Sequence, residues 1–199
     1  MAAHASGFPA NGMSPVNDSP SPMPLPAPSA PPASEAPAGP KPPLESGRPP
    51  QPVAPGLWLF APNRDTKGGS AWLLEGHDLD LLIDCPSLSQ ANLDFLAARA
   101  TRRGDDRAGR IVLSGRDGHG RIRRLQEQLG WPVLVQEQEA YLLPGVASLQ
   151  PFADELALAP GLRLLWTPGP GPGSCVLHVT AAASAAGDGL FCGRLLLPV

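Results

Sequence analysis

From Gly56 onward, short apolar runs alternate with turn residues, and the periods of those runs predict the elements. "GLWLFA" is a strand-length apolar run that stops at Pro62. "NRDTKGGS" follows with turn chemistry, Asp65 and two glycines. "SAWLLEGHDLDLLIDCP" holds two strand-like runs around Gly76-His77-Asp78 and predicts a hairpin. The period then changes. In "SLSQANLDFLAARATRRG", Leu88, Ala91, Phe95 and Ala98 recur at helical spacing, with Ser87 as the cap and Gly104 past the end. "RIVLS" reads as a buried strand. "GRDGHGRIRRLQEQLG" opens with glycines and becomes a helix with Ile122, Leu125 and Leu129 on one face and Gly130 as its left-handed C-terminal residue. "WPVLVQ" is a further strand and "EQEAYLLPG" a short helix. "ELALAP", "LRLLWT", "SCVLHVT" and "GLFCG" close the chain as strands. A hairpin, then helix–strand–helix–strand, then strands is a layered α+β arrangement, not a doubly wound parallel fold.

The stretch before Gly56 has a different texture. "SPSPMPLPAPSAPPASEAPAGPKPPLESGRPPQP" has almost no β-branched or aromatic residues, so it buries too little apolar surface to offset its ordering entropy. Its prolines favour extended, polyproline-II-like conformers. Two segments are expected: residues 1–55 as a disordered, proline-rich tail and 56–199 as the folded domain. A docking motif for a proline-reading partner, or a true start at Met13 or Met23, are further readings of the tail.

Composition narrows the function classes. The 199 residues include 27 prolines and 22 glycines, 17% are charged, and the net charge is −3, which provides no electrostatic footprint for nucleic acid. No apolar run approaches the roughly 18 to 20 residues that span a bilayer, so no membrane partner is expected. No basic start precedes an apolar core, so no secretory signal is read. Cys85, Cys175 and Cys192 are too few and scattered for a disulfide framework, and a reducing cytoplasm is the default location. Their apolar flanks favour burial over nucleophilic roles.

Candidate chemistry gathers in Ser114-Gly115-Arg116-Asp117-Gly118-His119-Gly120, between a buried strand and a helix, where side chains are held rigid at an open sheet edge. His178 lies within a strand, sharing a face with Val176 and Thr180, and His77 lies in a hairpin turn. The former reads as packed or at an edge, the latter as solvated. Arg121, Arg123 and Arg124 form a small basic cluster; after the glycine-rich loop, Arg121 and Arg124 could hold an anion at the helix start. No Lys-Ser or Lys-Thr follows, so a nucleotide-binding loop is not supported.

Four of these stretches, in order, resemble motifs of the metallo-β-lactamase superfamily. "GGSAWLLEGHDLDLLIDCP" resembles its opening hairpin, with Asp84 at the aspartate after the third strand. "VLSGRDGHG" falls where the family carries Thr-His-x-His-x-Asp-His. "WTPGPGPGS" resembles its Thr-Pro-Gly-His-Thr-Pro-Gly-Ser loop, and "GLFCGR" its Leu-Phe-Thr-Gly-Asp strand end. The resemblance spans Leu57 to Leu195. It implies a four-layer αββα sandwich, two sheets face to face with helices outside. The family's second half runs well past the last motif, so the expectation here is a sandwich incomplete at its C-terminus, with sheet exposed for self-association.

The resemblance also implies one or two metals, usually zinc, whose bound hydroxide attacks the substrate. Its ligand positions are degenerate here. In the first loop the two histidine positions are Gly115 and Asp117, the aspartate position is His119 and the last histidine position is Gly120. The histidine position of the proline-glycine loop is Pro170, and the bridging aspartate position is Arg194. Glycine and proline side chains donate nothing, and Arg194 sets a permanent positive charge where a divalent cation would sit. The expectation is a pseudoenzyme with no metal, no cofactor and no catalytic residue, serving in binding or scaffolding. Arg194 is expected to pair with Asp84 or Asp117. A second reading keeps Asp84, Asp117 and His119 as rearranged donors of a zinc-dependent hydrolase, since three donors suffice for a catalytic zinc. A third is the anion-binding module at Arg121 and Arg124.

Overall fold

The computed structural model describes residues 47–102 and 109–195; side chains are described to Ala100 and again from Gly109. Most of the expected tail, residues 1–46, and the expected helix stop at Gly104 lie outside the described residues.

A seven-stranded sheet runs in chain order: β1 (Gln51–Ala54), β2 (Leu57–Phe60), β3 (Ala71–Glu75), β4 (Asp80–Ile83), β5 (Arg110–Val112), β6 (Val133–Gln136) and β7 (Leu149–Phe152). β1 to β4 pair antiparallel and β4 to β7 parallel. The predicted hairpin forms, with Leu73 opposite Leu82 and Leu74 opposite Leu81. The parallel half takes its crossovers through α1 (Gln90–Arg102) and α2 (Ile122–Leu129), and α3 (Glu137–Ala140) follows β6. The second sheet has four antiparallel strands in the order β11 (Gly189–Phe191), β10 (Cys175–Val179), β9 (Leu162–Trp166) and β8 (Glu155–Ala159).

Two cores explain the patterning. Leu73, Leu82, Ile111, Leu113, Val133 and Val135 face the helices, meeting Leu93, Leu96, Ile122 and Leu125. Their neighbours Leu74, Leu81, Ile83, Val112 and Leu134 face the other sheet, meeting Leu162, Leu164, Leu177 and Val179. Strands buried on both faces read as unbroken apolar runs, and β4 to β6 do. The second sheet buries one face, so Arg163 and His178 alternate with buried neighbours.

The layers are thus helix, sheet, sheet. Both face-to-face sheets and the helical layer on the first match the expected α+β sandwich; among the described residues no helix lies on the outer face of the four-stranded sheet. No described helix is long and apolar enough to cross a membrane.

Five sequence readings differ in detail from the structure. The sheet begins at Gln51, inside the stretch assigned to the tail, because β1 is an edge strand and tolerates Pro52. β7 is a strand that the pattern did not predict. The buried stripe of α1 runs through Leu93 and Leu96, while Ala98 is exposed. The cap of α1 is Ser89, whose Oγ accepts from the Asn92 amide at 3.3 Å. Ser87 instead accepts from the Asn92 side chain through its carbonyl and its hydroxyl, at 2.9 and 3.0 Å. His178 sits on β10, flanked by β9 and β11, and is half-buried, not at a sheet edge.

Candidate functional site

At the strand ends of both sheets, loops enclose a cavity of about 840 Å³. Asp84 is part of its lining. It ends β4 in the left-handed region at φ 60°, a conformation that Asp tolerates better than most side chains. The Asp84 amide donates to Val112 O at 2.8 Å. Its carboxylate accepts from the Ser114 amide at 2.8 Å and the Ser114 hydroxyl at 2.7 Å, so both oxygens are engaged. Burial pushes its pKa up to about 6, against the lowering effect of the Ser114 hydrogen bonds and the Arg194 charge. Gly118 closes over this carboxylate so tightly that a Cβ there would overlap Asp84 Oδ1.

The loop after β5 turns through a 3-10 segment, Arg116–Gly118, before α2. Gly115, Arg116, Asp117 and Gly118 line the cavity, together with Pro170, Gly171 and Ser174 of the proline-glycine loop and Arg194 after β11. Of the degenerate positions the sequence singles out, Gly115, Asp117, Pro170 and Arg194 therefore converge with Asp84 on one cavity. His119 and Gly120 do not line it.

Asp117 is the centre of charge. Lys67 Nζ lies 2.5 Å from its Oδ1 and Arg194 Nε 3.5 Å from its Oδ2. These partners, Lys67 foremost, hold its carboxyl below the usual range. Arg194 also donates to the carbonyls of Thr66 and Lys67. The sequence left Asp84 and Asp117 open as partners of Arg194; the ion pair is with Asp117.

Two contributors came from outside the motifs. Lys67 is placed by the Asn63–Thr66 turn: Asn63 Oδ1 accepts from the Thr66 amide at 3.1 Å, and Asn63 Nδ2 donates to Cys85 O at 3.2 Å, tying the loop to the end of β4. An Asn opening "NRDTKGG" is the signal for such a turn. Glu139, in α3, is fully buried; its Oε1 accepts from Arg116 Nη2 at 3.1 Å and from the Gly173 amide at 3.3 Å. With Ser174 Oγ accepting from the Gly171 amide at 3.1 Å, this braces the proline-glycine loop.

The donor set does not fit a zinc centre. Asp84 spends both oxygens on Ser114, and Asp117 answers two cations. His119 does not line the cavity; its Nε2 is buried without a hydrogen-bond partner and its pKa is lowered by burial. Among the described residues, no group of three or more His, Cys, Asp or Glu side chains is placed to hold a metal ion. Arg121 pairs with Asp65 at 2.9 Å, and neither it nor Arg124 lines the cavity. His77 is exposed, and its amide donates to Ala183 O at 2.8 Å. Cys85 and Cys175 are buried, which pushes each thiol up to about 12.

The sequence matches no family model and no curated protein. Among solved structures, the chain is similar to the metallo-β-lactamase SMB-1 in complex with mercaptoacetic acid, at 21% identity over 73% of this chain and 64% of that one, with a TM-score of 0.52. It is likewise similar to MEM-A1, a subclass B3 metallo-β-lactamase isolated from a soil metagenome library, at 22% identity over 73% of this chain and 62% of that one, with a TM-score of 0.51. The chain thus spans a little under two thirds of the length of these structures. These likenesses show that the chain has the metallo-β-lactamase fold.

Proposed function

We propose that this chain uses the metallo-β-lactamase fold without metal and without hydrolysis, as a binding or scaffolding protein. One observation carries the reading: Asp117, the central carboxylate of the cavity, is held by Lys67 and Arg194 together. A divalent cation entering there would have to displace both and would meet a guanidinium that does not deprotonate. Glycine and proline at Gly115, Gly120 and Pro170 leave no imidazole to complete the shell. The fold survives because charge pairs and the Glu139 brace hold the loops that a metal would otherwise tie together. The three free thiols suit a reducing compartment such as the cytoplasm.

The test is the metal content of the purified chain after exposure to zinc, manganese and iron, alongside hydrolysis of a chromogenic β-lactam, the substrate class in the names of the similar structures. The expected result is no stoichiometric ion and no turnover. Tightly held metal that is lost in Asp117→Ala or His119→Ala, with hydrolysis, would overturn the proposal in favour of a rearranged hydrolase.

A further inference from the structure

The cavity joins two surfaces of opposite character. One end carries Lys67, Arg116 and Arg194, and all three charges act on Asp117. Arg116 is neutralised by Glu139 behind it. Lys67 and Arg194 share the charge of Asp117. Asp84 also lines the cavity, its oxygens accepting from Ser114 and its carboxyl in the field of Arg194. Donors are also left over. Arg194 uses Nε and Nη2, and Arg116 uses Nε and Nη2, so among the described residues each keeps an Nη1 without a protein partner.

The other end is apolar. Trp72 and Phe191 meet edge to face at 6.0 Å and join the two sheets. Leu57 and Ile83 flank them, and Val53 and Leu190 stand at the rim, each 55% exposed. These side chains give the cavity an apolar wall. The volume, about 840 Å³, is that of a small-molecule site.

We infer that this cavity binds a small amphipathic carboxylate, its head on Arg194, Lys67 and Arg116 and its apolar body against Trp72 and Phe191. A carboxylate matches the forked geometry of a guanidinium, and Arg116 and Arg194 each hold an Nη1 in reserve for it. The inference rests on the metal-free reading above, since it places side-chain cations where the fold's ions would bind an anion.

The test is calorimetric titration of the full chain with decanoate and with decanol, on samples of measured metal content. Decanoate is expected to bind saturably, one per chain, and about tenfold or more tighter than decanol. Lys67→Met, at a 70% exposed side chain, and Arg194→Met are each expected to weaken decanoate about fivefold or more and leave decanol unchanged. The Lys67 variant keeps the test valid if the Arg194 variant fails to fold. Equal affinity for decanol, no saturable binding, or decanoate binding untouched in Lys67→Met would each overturn the inference. Absence of binding in metal-free protein would sink this inference alone. Binding that requires a bound metal and is abolished by a chelator would sink the metal-free reading as well.

Discussion

Arg194 Nε and Asp117 Oδ2 stand 3.5 Å apart across the cavity, joining the end of the second sheet to the loop that follows β5. Sequence separation between them is large, so the pair works as a cross-brace between the two halves of the sandwich. Arg194→Ala removes it together with the donations to the Thr66 and Lys67 carbonyls. The expected destabilisation is about 1–2 kcal/mol, as for loss of charge-assisted hydrogen bonds at a partly exposed site. The Asp117 carboxyl should also titrate higher, because one of the charges holding it down is gone. Urea unfolding and carboxyl-carbon NMR titration measure the two effects; an unmoved Asp117 titration would show that the pair is not formed in solution.

Gly118 is required by what lies under it. A methyl group there would overlap Asp84 Oδ1 and drive the carboxylate off Ser114. Gly118→Ala is expected to cost on the order of 2–3 kcal/mol. Gly189→Ala is the control, since a Cβ at Gly189 would meet nothing within 4 Å. Its effect should stay within about 0.5 kcal/mol. Equal unfolding midpoints for the two variants would contradict the packing described.

The parts of the fold that were legible share a cause. β4, β5 and β6 are buried on both faces, so apolar runs marked them. The two strands that escaped, β1 and β7, are the edges of the seven-stranded sheet, and both contain proline: "QPVA" and "LQPF". Edge strands tolerate proline, which composition alone reads as a breaker. The stripe of α1 differs from the expected one because the buried face includes a polar residue, Asn92, whose Nδ2 donates to Ser87. The cavity was legible through the resemblance of four stretches to family motifs, which implies one site for Asp84, Asp117, Pro170 and Arg194. Lys67 and Glu139 were not, since each reaches the site from a segment whose local pattern shows only a turn or a short polar helix.

Glu139 and Arg116 provide a test of the brace under the proline-glycine loop. Glu139 is fully buried while the Arg116 side chain is 44% exposed, so the two do not contribute alike. Arg116→Met strands a buried carboxylate with only the Gly173 amide, and about 2–3 kcal/mol of destabilisation is expected. Glu139→Gln, which keeps an acceptor for Gly173, should cost less. The double variant should recover part of the loss, a coupling that a double-mutant cycle reads directly. Strictly additive effects would mean that the two side chains do not interact.

Asp84 makes the pH dependence run opposite to that of an ordinary ion-paired carboxylate. Its folded pKa, about 6, lies above the ordinary 3.8. Between these values the folded chain holds a proton that the unfolded chain has released. Stability therefore falls as pH rises through that window and levels off above it. The size of the loss is on the order of 2–3 kcal/mol. Asp117 acts in the reverse sense: its lowered pKa gives a contribution present above the ordinary carboxylate range and lost in acid, which confines its effect to lower pH. Asp84→Asn isolates the first effect, since an amide still accepts from the Ser114 backbone and carries no charge. Urea midpoints of the parent and variant should converge near about pH 4 and separate in the variant's favour by about pH 7. Parallel pH profiles would mean that Asp84 titrates at its ordinary value and that its burial is incomplete.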